Sequence, residues 1–378
     1  MKKITIIGSG TAGVLSAMHF LKWAPECELE LYHDPNIKPQ SVGEGAALDL
    51  PVNLTECLDF QHSDLATIDG SFKYGIRKIG WGDGTDFVHH FPPPMVSYHF
   101  NAVKLQEYVL GQIKDKVTIK EGHVTADELD SDFIMDCSGK PTDYTDFNMS
   151  TSIPVNAVYV TQCYWAIPTF QYTLTIARPY GWVFGIPLTN RCSIGYMYND
   201  TISTLAEVIA DVQEIFAQFN LVPSQVTSSF SFKNYCRKQN FTDRIAYNGN
   251  SSFFLEPMEA TSISTMNWIQ RLAYEQWLHG VPTEHTNRNY KSFLNEVEII
   301  IMLHYFAKSK YKTLFWDFAY DRANAVMQAA VKTDSFKHVI HSVKNRIPYS
   351  STSEQLWPYR SYLENIVNLN LLNKLSDL

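Results

Sequence analysis

A glycine turn near the start of the chain constrains the fold more than any other feature. Residues 3–7, KITII, form the apolar run of a buried strand, and Gly8, Gly10 and Gly13 follow in the spacing G-x-G-x-x-G. Residues 14–23 then show helical spacing of apolar side chains. In this context glycines permit a tight turn and close approach of the backbone to a pyrophosphate at the helix N-terminus. We expect a doubly wound α/β domain that binds a dinucleotide, and a purely structural glycine turn is the alternative.

The next strand bears on which dinucleotide is bound. Residues 28–33, ELELYH, alternate like a strand and end on His33 followed by Asp34. NAD sites usually place the ribose-binding acid at the end of this strand, so a histidine there weakens the NAD interpretation. A β-rich insertion over 152–198 and a later glycine turn at Gly249 favour FAD instead.

Changes in residue pattern divide the chain into four predicted segments. Residues 1–150 form an α/β part that binds FAD. Residues 151–240 carry an inserted antiparallel β-sheet layer and a helix, and residues 241–280 return to the FAD-binding core. Apolar spacing is helical over 281–378, which predicts a helical C-terminal region.

Composition excludes several classes of protein. Charged residues make up 19% of the chain and aromatic residues 13%, the opposite of a disordered chain. Lys and Arg number 31 against 39 Asp and Glu, and the net charge of −8 with no basic block argues against binding of nucleic acid or anionic membranes. No apolar run approaches the ~20 residues of a membrane span.

Cysteine and histidine spacing predicts neither disulfides nor a metal site. The six cysteines include no C-x-x-C pair and no zinc-like cluster with histidine, so we expect free thiols in a cytoplasmic protein. His89 and His90 are adjacent, so they point apart on a strand, and no third ligand is evident. We therefore predict no metal.

Several motifs together resemble the flavin-dependent tryptophan halogenase family. They are residues 8–13, Val42-Gly43-Glu44, SFKYGI at 71–76 ending at Trp81, DCSG at 136–139, and GNSSFFLEPMEAT at 249–261. Residues 304–316 are similar to the family's helical region, and WVFGIP at 182–187 keeps its W-x-W-x-I-P signature except for Phe184. The resemblance implies a Rossmann-like FAD-binding domain of the flavin monooxygenase type.

The resemblance also implies a two-component halogenase. FADH2 and O2 oxidise a bound chloride, bromide or iodide to hypohalous acid, which passes to Lys73 for halogenation of an indole- or phenol-like ring. Glu259 matches the family's catalytic glutamate. The local pattern alone leaves a structural alternative for each residue. Lys73 would be a surface lysine on a strand, and Glu259 an acid in the first turn of a helix.

The remaining site residues follow from the same resemblance. Thr261 and Ser262 match the backbone pair that binds halide. His89 and Phe91 match the positions that stack on the aromatic substrate, so the resemblance implies a substrate loop at 83–97. An aromatic loop packed under prolines is the alternative for those two residues. The residues assigned to FAD are Gly8, Ser9, Gly10, Thr11, Ala12, Gly13, His33, Val42, Gly43, Glu44, Asp136, Gly249 and Ile263.

The chain departs from the family at several positions. Ala260 stands where the family has serine, Ser262 where it has glycine, and residues 350–378 match poorly with the segment that recognises the amino acid part of tryptophan. The length resembles that of compact, phage-type members.

The expected partners are a separate NAD(P)H flavin reductase and a second copy in a homodimer. A flavin-dependent aromatic monooxygenase and a non-catalytic FAD-binding protein are the rival functions.

Overall fold

A computed structural model of the protein describes residues 1–38, 43–350 and 357–378. The chain divides into two units of three segments each. Unit 1 comprises Met1–Phe72, Ser97–Met149 and Tyr235–Lys291, and unit 2 comprises Lys73–Val96, Ser150–Asn234 and Ser292–Leu378. The four-segment division of the chain stays a prediction.

The structure contains both strands and helices in each unit. The strands are β1 Lys3–Ile7, β2 Glu28–His33, β3 Ser71–Lys73, β4 Gly75–Trp81, β5 Thr85–His90, β6 Ser97–His99, β7 Thr118–Glu121, β8 Phe133–Asp136, β9 Phe147–Met149, β10 Ala157–Tyr164, β11 Thr173–Arg178, β12 Gly181–Pro187, β13 Cys192–Tyr198, β14 Val222–Ser231, β15 Tyr235–Arg237, β16 Ile245–Tyr247 and β17 Phe253–Phe254. The helices are α1 Thr11–Trp23, α2 Asp49–Leu58, α3 Ala102–Ile113, α4 Leu205–Gln218, α5 Thr261–His279, α6 Thr283–Ala307, α7 Leu314–Ala330, α8 Asp334–Asn345, α9 Tyr359–Asn368 and α10 Leu371–Ser376.

Unit 1 is built on a parallel sheet with the strand order β16-β8-β1-β2-β7. Ile4, Ile6 and Leu31 on its central strands are fully buried, as expected for a sheet covered on both faces. The succession β1, α1, β2 confirms the predicted α/β opening. The carboxyl ends of parallel strands meet at one edge, so the glycine turn after β1 lies beside the ends of β2 and β8.

Local sequence signals place the helix ends of both units. Asn101 caps α3, since its side chain accepts hydrogen bonds from the amides of Val103 and Lys104, as the sequence predicted. Thr204 caps α4, and the Glu207 carboxylate accepts a hydrogen bond from the Thr204 amide at 2.7 Å. Such caps stabilise a helix by about 1 kcal/mol.

Unit 2 is built on a seven-stranded sheet with the order β14-β10-β13-β12-β11-β4-β5. Strands β10 to β14 pair antiparallel, which confirms the predicted β layer. The sheet extends further than predicted, because β11 pairs with β4 in parallel and β5 follows as a hairpin. The apolar side of α4, with Val208, Val212 and Ile215, packs in the core of this sheet.

Candidate active site

Two glycines shape the turn between β1 and α1. Gly8 has φ +98°, and its amide donates to the Tyr32 carbonyl at 2.8 Å. A Cβ on Gly13 would overlap the Gly8 carbonyl oxygen, so only glycine lets α1 begin so close to the strand. A Cβ on Gly10, in contrast, would have no heavy atom of the described residues within 4 Å. The turn is therefore tight on its inner side and open at Gly10.

Helix α1 begins without a side-chain cap among the described residues. Gly10 is the N-cap in an extended conformation, and the first turn carries no acid. Ser9 and Thr11 flank Gly10, and the Thr11 hydroxyl accepts a hydrogen bond from the Gln106 amide at 3.0 Å. The first amides of α1, including that of Ala12, are thus available to an anion such as a pyrophosphate.

Three other predicted FAD residues lie at the same edge of the parallel sheet. His33 ends β2, with its Nε2 3.7 Å from a Glu121 carboxylate oxygen. Asp136 ends β8 and accepts a hydrogen bond from the Ser138 amide at 2.9 Å. Gly249 has φ +63°, and a Cβ there would lie 2.7 Å from the Ala12 Cβ. The structure therefore brings the ends of β1, β2 and β8 and the second glycine turn together.

The loop before α2 holds two more of the predicted FAD residues. Gly43 has φ +85° and is exposed, whereas Glu44 is buried and its carbonyl accepts a hydrogen bond from the Phe100 amide at 2.9 Å. Val42 lies outside the described residues. Ile263 is buried on the first turn of α5.

The turn that leads into α5 has an uncommon backbone. Glu259 has φ 62° and Ala260 φ 55°, so two consecutive non-glycine residues are left-handed. Each costs roughly 1–2 kcal/mol relative to an ordinary conformation. Glu256 is fully buried and Glu259 nearly so. Glu259 thus lies in the turn before α5, whereas the structural alternative placed it within the first turn of the helix.

Helix α5 begins at the predicted halide residues. Thr261 is its first residue and is buried, and Ser262 follows half-buried. No described side chain caps this helix, and its first turn contains no acid. Uncapped amides and the positive end of the helix dipole suit a monovalent anion. The residue types therefore fit halide binding by backbone amides.

Three predicted residues come together in unit 2. Lys73 is fully buried, which rules out the surface-lysine alternative, and its Nζ lies 5.7 Å from the centre of the Phe91 ring. The rings of Phe91 and His89 are 6.1 Å apart and edge to face. The Phe91 amide donates to the Tyr74 carbonyl at 3.0 Å and fixes the chain beside Lys73. A cation beside aromatic rings suits recognition of a flat, electron-rich substrate.

Phe184, which replaces the second Trp of the W-x-W-x-I-P signature, packs against the neighbouring strand of its sheet. It lies over Gly195 of β13, where a Cβ would overlap the Phe184 ring. Its ring centroid is 6.2 Å from that of Trp182. Trp182 is itself almost fully buried, so this signature forms a core strand of unit 2.

Sequence reasoning missed two polar clusters, one half-buried in unit 1 and one fully buried in unit 2. In unit 1, the Asp49 carboxylate binds two side chains of α5; its position just after the Gly43-Glu44 motif was the available signal. In unit 2, the Lys78 Nζ lies 2.6 Å from the His304 Nε2 and 2.5 Å from the Asn365 Oδ1. No local pattern links these last three positions.

Neither a bilayer-spanning helix nor a metal-like cluster of ligands occurs in the described part of the chain. None of the helices there combines the length and the apolarity needed to cross a membrane. No three His, Cys, Asp or Glu side chains within the same ranges are grouped as a metal ion would require.

Comparisons with known proteins agree on one family. The model of the tryptophan halogenase family matches residues 3–117 and 101–377. The tryptophan 7-halogenase RebH of Lentzea aerocolonigenes is 21% identical over 87% of this chain and 79% of its own length. The tryptophan 6-halogenase ThaL of Streptomyces albogriseolus is 22% identical over 73% of this chain, and the match spans 55% of its own length.

Solved structures share the fold. The crystal structure of the tryptophan 6-halogenase SttH from Streptomyces toxytricini superposes with a TM-score of 0.80 over 98% of this chain and 90% of that one, at 20% identity. The tryptophan halogenase of Shewanella frigidimarina superposes with a TM-score of 0.80 over 100% and 93%, at 17% identity. At such identities the likeness concerns the fold alone.

Proposed function

Because the chain belongs to the tryptophan halogenase family, we propose that it is a two-component flavin-dependent halogenase of indole- or phenol-like aromatic substrates. The observation that carries this proposal is the fully buried Lys73 beside the Phe91 ring. At the position that matches the family's lysine, a fully buried ammonium beside an aromatic ring supports a role at a reacting oxygen.

The residues at the edge of the parallel sheet fit FAD. The uncapped start of α1 would bind the pyrophosphate, and the open space at Gly10 admits it close to the backbone. When bound, reduced FAD supplies the two electrons with which O2 oxidises a halide to hypohalous acid. The first amides of α5, at Thr261 and Ser262, would hold that halide. A separate NAD(P)H-dependent flavin reductase supplies the reduced flavin, since the glycine turn of this chain is assigned to FAD.

The residues assigned to catalysis and substrate binding would then carry the halogenation step. The Lys73 ammonium donates a hydrogen bond to the oxygen of hypohalous acid and polarises its bond to the halogen. His89 and Phe91 hold the aromatic ring by stacking. A ring carbon attacks the halogen, the oxygen–halogen bond breaks, and the leaving hydroxide takes a proton from Lys73. Glu259 accepts the proton that the ring loses, which restores aromaticity.

A product screen by mass spectrometry tests the proposal. The protein, FAD, a flavin reductase, NADH and catalase are incubated with a panel of indoles and phenols, each with chloride, bromide or iodide. We expect a product whose mass has increased by the exchange of a hydrogen for a halogen, and the substrate that gives it would identify the substrate class. Oxygenated products without halogen would favour the monooxygenase, and bound FAD without any product would favour the non-catalytic protein.

Two alanine substitutions in the glycine turn separate stability from FAD binding. Gly13→Ala introduces a Cβ that overlaps the Gly8 carbonyl, and we expect it to destabilise the fold by about 1–3 kcal/mol or more. Gly10→Ala meets no described atom within 4 Å, so stability is retained, but the methyl group occupies space assigned to the pyrophosphate. We expect FAD to bind at least about tenfold more weakly.

Thermal unfolding without FAD and titration with FAD check both expectations. Gly111→Ala, on α3, is the matched control because its added Cβ also meets no described atom within 4 Å. FAD binding by Gly10→Ala with the affinity of the unmodified protein would contradict the proposed position of the pyrophosphate.

A further inference from the structure

Asp49 joins the loop assigned to FAD to the helix assigned to halide. It is the first residue of α2, six positions after Gly43. Its Oδ1 accepts a hydrogen bond from the Ser264 hydroxyl at 3.0 Å, and its Oδ2 accepts one from the Asn267 amide at 2.6 Å. Both donors lie in the first two turns of α5, so one carboxylate connects two helices of unit 1.

The helix that Asp49 binds begins at a strained turn. Glu259 and Ala260 are left-handed without being glycine, so the turn is strained. Such strain persists only where surrounding contacts hold the backbone in place. The start of α5 has no side-chain cap among the described residues. The two hydrogen bonds from α5 to Asp49 are contacts of the required kind, three and six residues after Thr261.

The dependence between Asp49 and its donors is mutual. Burial raises the pKa of Asp49, and the hydrogen bonds from Asn267, from Ser264 and from the backbone amides of Asp49 and Leu50 act in the opposite direction. Both α5 side chains therefore help to stabilise the charged carboxylate, together with the amides at the start of α2. The same two bonds fix α5 in rotation and in height along its axis, because they attach to successive turns of one face.

We propose that Asp49 is a positioning residue that holds the first turn of α5 in the geometry needed for halide binding. This inference rests on the proposed function, in which the amides of Thr261 and Ser262 bind the halide. Without Asp49 the strained turn relaxes and these amides diverge from a common point. Halide affinity then falls, while the residues at Lys73, in unit 2, keep their own contacts.

Bromide binding to the resting, FAD-loaded protein tests this inference without turnover. The probe is the broadening of the bromide-81 NMR signal, together with the KM for bromide and kcat. Asp49→Ala removes both hydrogen bonds, and we expect about tenfold weaker bromide binding with a matching rise in KM and little change in kcat. The exchange Asp49→Asn with Asn267→Asp restores an amide–carboxylate hydrogen bond, and we expect it to recover most of the affinity. Ser264→Ala and Asn267→Ala, which each remove one bond, should have intermediate effects.

Controls separate positioning from general stability. Glu56→Ala removes an exposed acid of the same helix α2 and should leave bromide binding unchanged. Unchanged bromide affinity in folded, FAD-loaded Asp49→Ala would overturn the inference, even if the melting temperature falls. Failure of the exchange variant to recover any affinity would also overturn it. Failure of the unmodified protein to bind bromide would instead reject the proposed function, and the inference with it.

Discussion

Replacement of Lys73 by methionine is expected to abolish halogenation, with a fall in rate of about a thousandfold or more. The Lys73 side chain is fully buried and lies beside the Phe91 ring, so methionine can fill its volume without exposing the site. What methionine cannot do is donate a hydrogen bond to the oxygen of hypohalous acid or supply the proton for its departure. The electrophile would then be poorly polarised and poorly placed.

The measurement separates the two halves of the reaction. Halogenated product is followed by mass spectrometry, and hypohalous acid is followed with an added small-molecule trap. For Lys73→Met we expect product to vanish while trapped halogen stays close to that of the unmodified protein. Lys114→Met, at an exposed lysine of unit 1, is the control and should leave both unchanged. Unaltered product formation by Lys73→Met would refute the assignment and favour a chemistry that needs no lysine.

The sequence predicted those parts of the fold whose signals are local. The strand–glycine turn–helix–strand opening lies within residues 3–33, and a cap such as Asn101 acts on residues two and three positions away. The parallel pairing of β4 with β11 was not predictable in this way. It joins residues about a hundred positions apart, and alternation of apolar residues gives no direction or partner for a strand.

The candidate site likewise combines contacts within one stretch of chain, which the sequence predicted, with contacts between distant segments, which it did not. Lys73, His89 and Phe91 lie within one stretch of chain and meet because β4 and β5 form a hairpin. The cluster of Lys78, His304 and Asn365 joins positions 226 and 287 residues apart, and Asp49 meets α5 across 215 residues. The left-handed turn at Glu259 and Ala260 contains no glycine, so the sequence gives no local signal for it. Polar contacts between distant segments depend on the completed fold, which local patterns do not encode.

Glu259→Gln is expected to lower ring halogenation by about a hundredfold while hypohalous acid continues to form. Glutamine has nearly the shape of glutamate, so the left-handed turn and the start of α5 should be kept. It cannot accept the proton that the ring must lose, and it brings no charge to stabilise the cationic ring. The defect should therefore appear only after the halogen has been oxidised.

Glu256→Gln is the matched control for this variant, because Glu256 is also buried and lies three residues earlier in the same segment. We assign Glu256 a structural role, so its loss should lower the melting temperature without changing the ratio of ring product to trapped halogen. Glu259→Gln should change that ratio strongly. If Glu259→Gln halogenates the ring at the original rate, the ring proton leaves to water and the buried position of Glu259 serves the strained turn rather than the chemistry. If product and trapped halogen fall together, Glu259 acts before the halogen leaves α5, as a neighbour of Thr261 in the halide site.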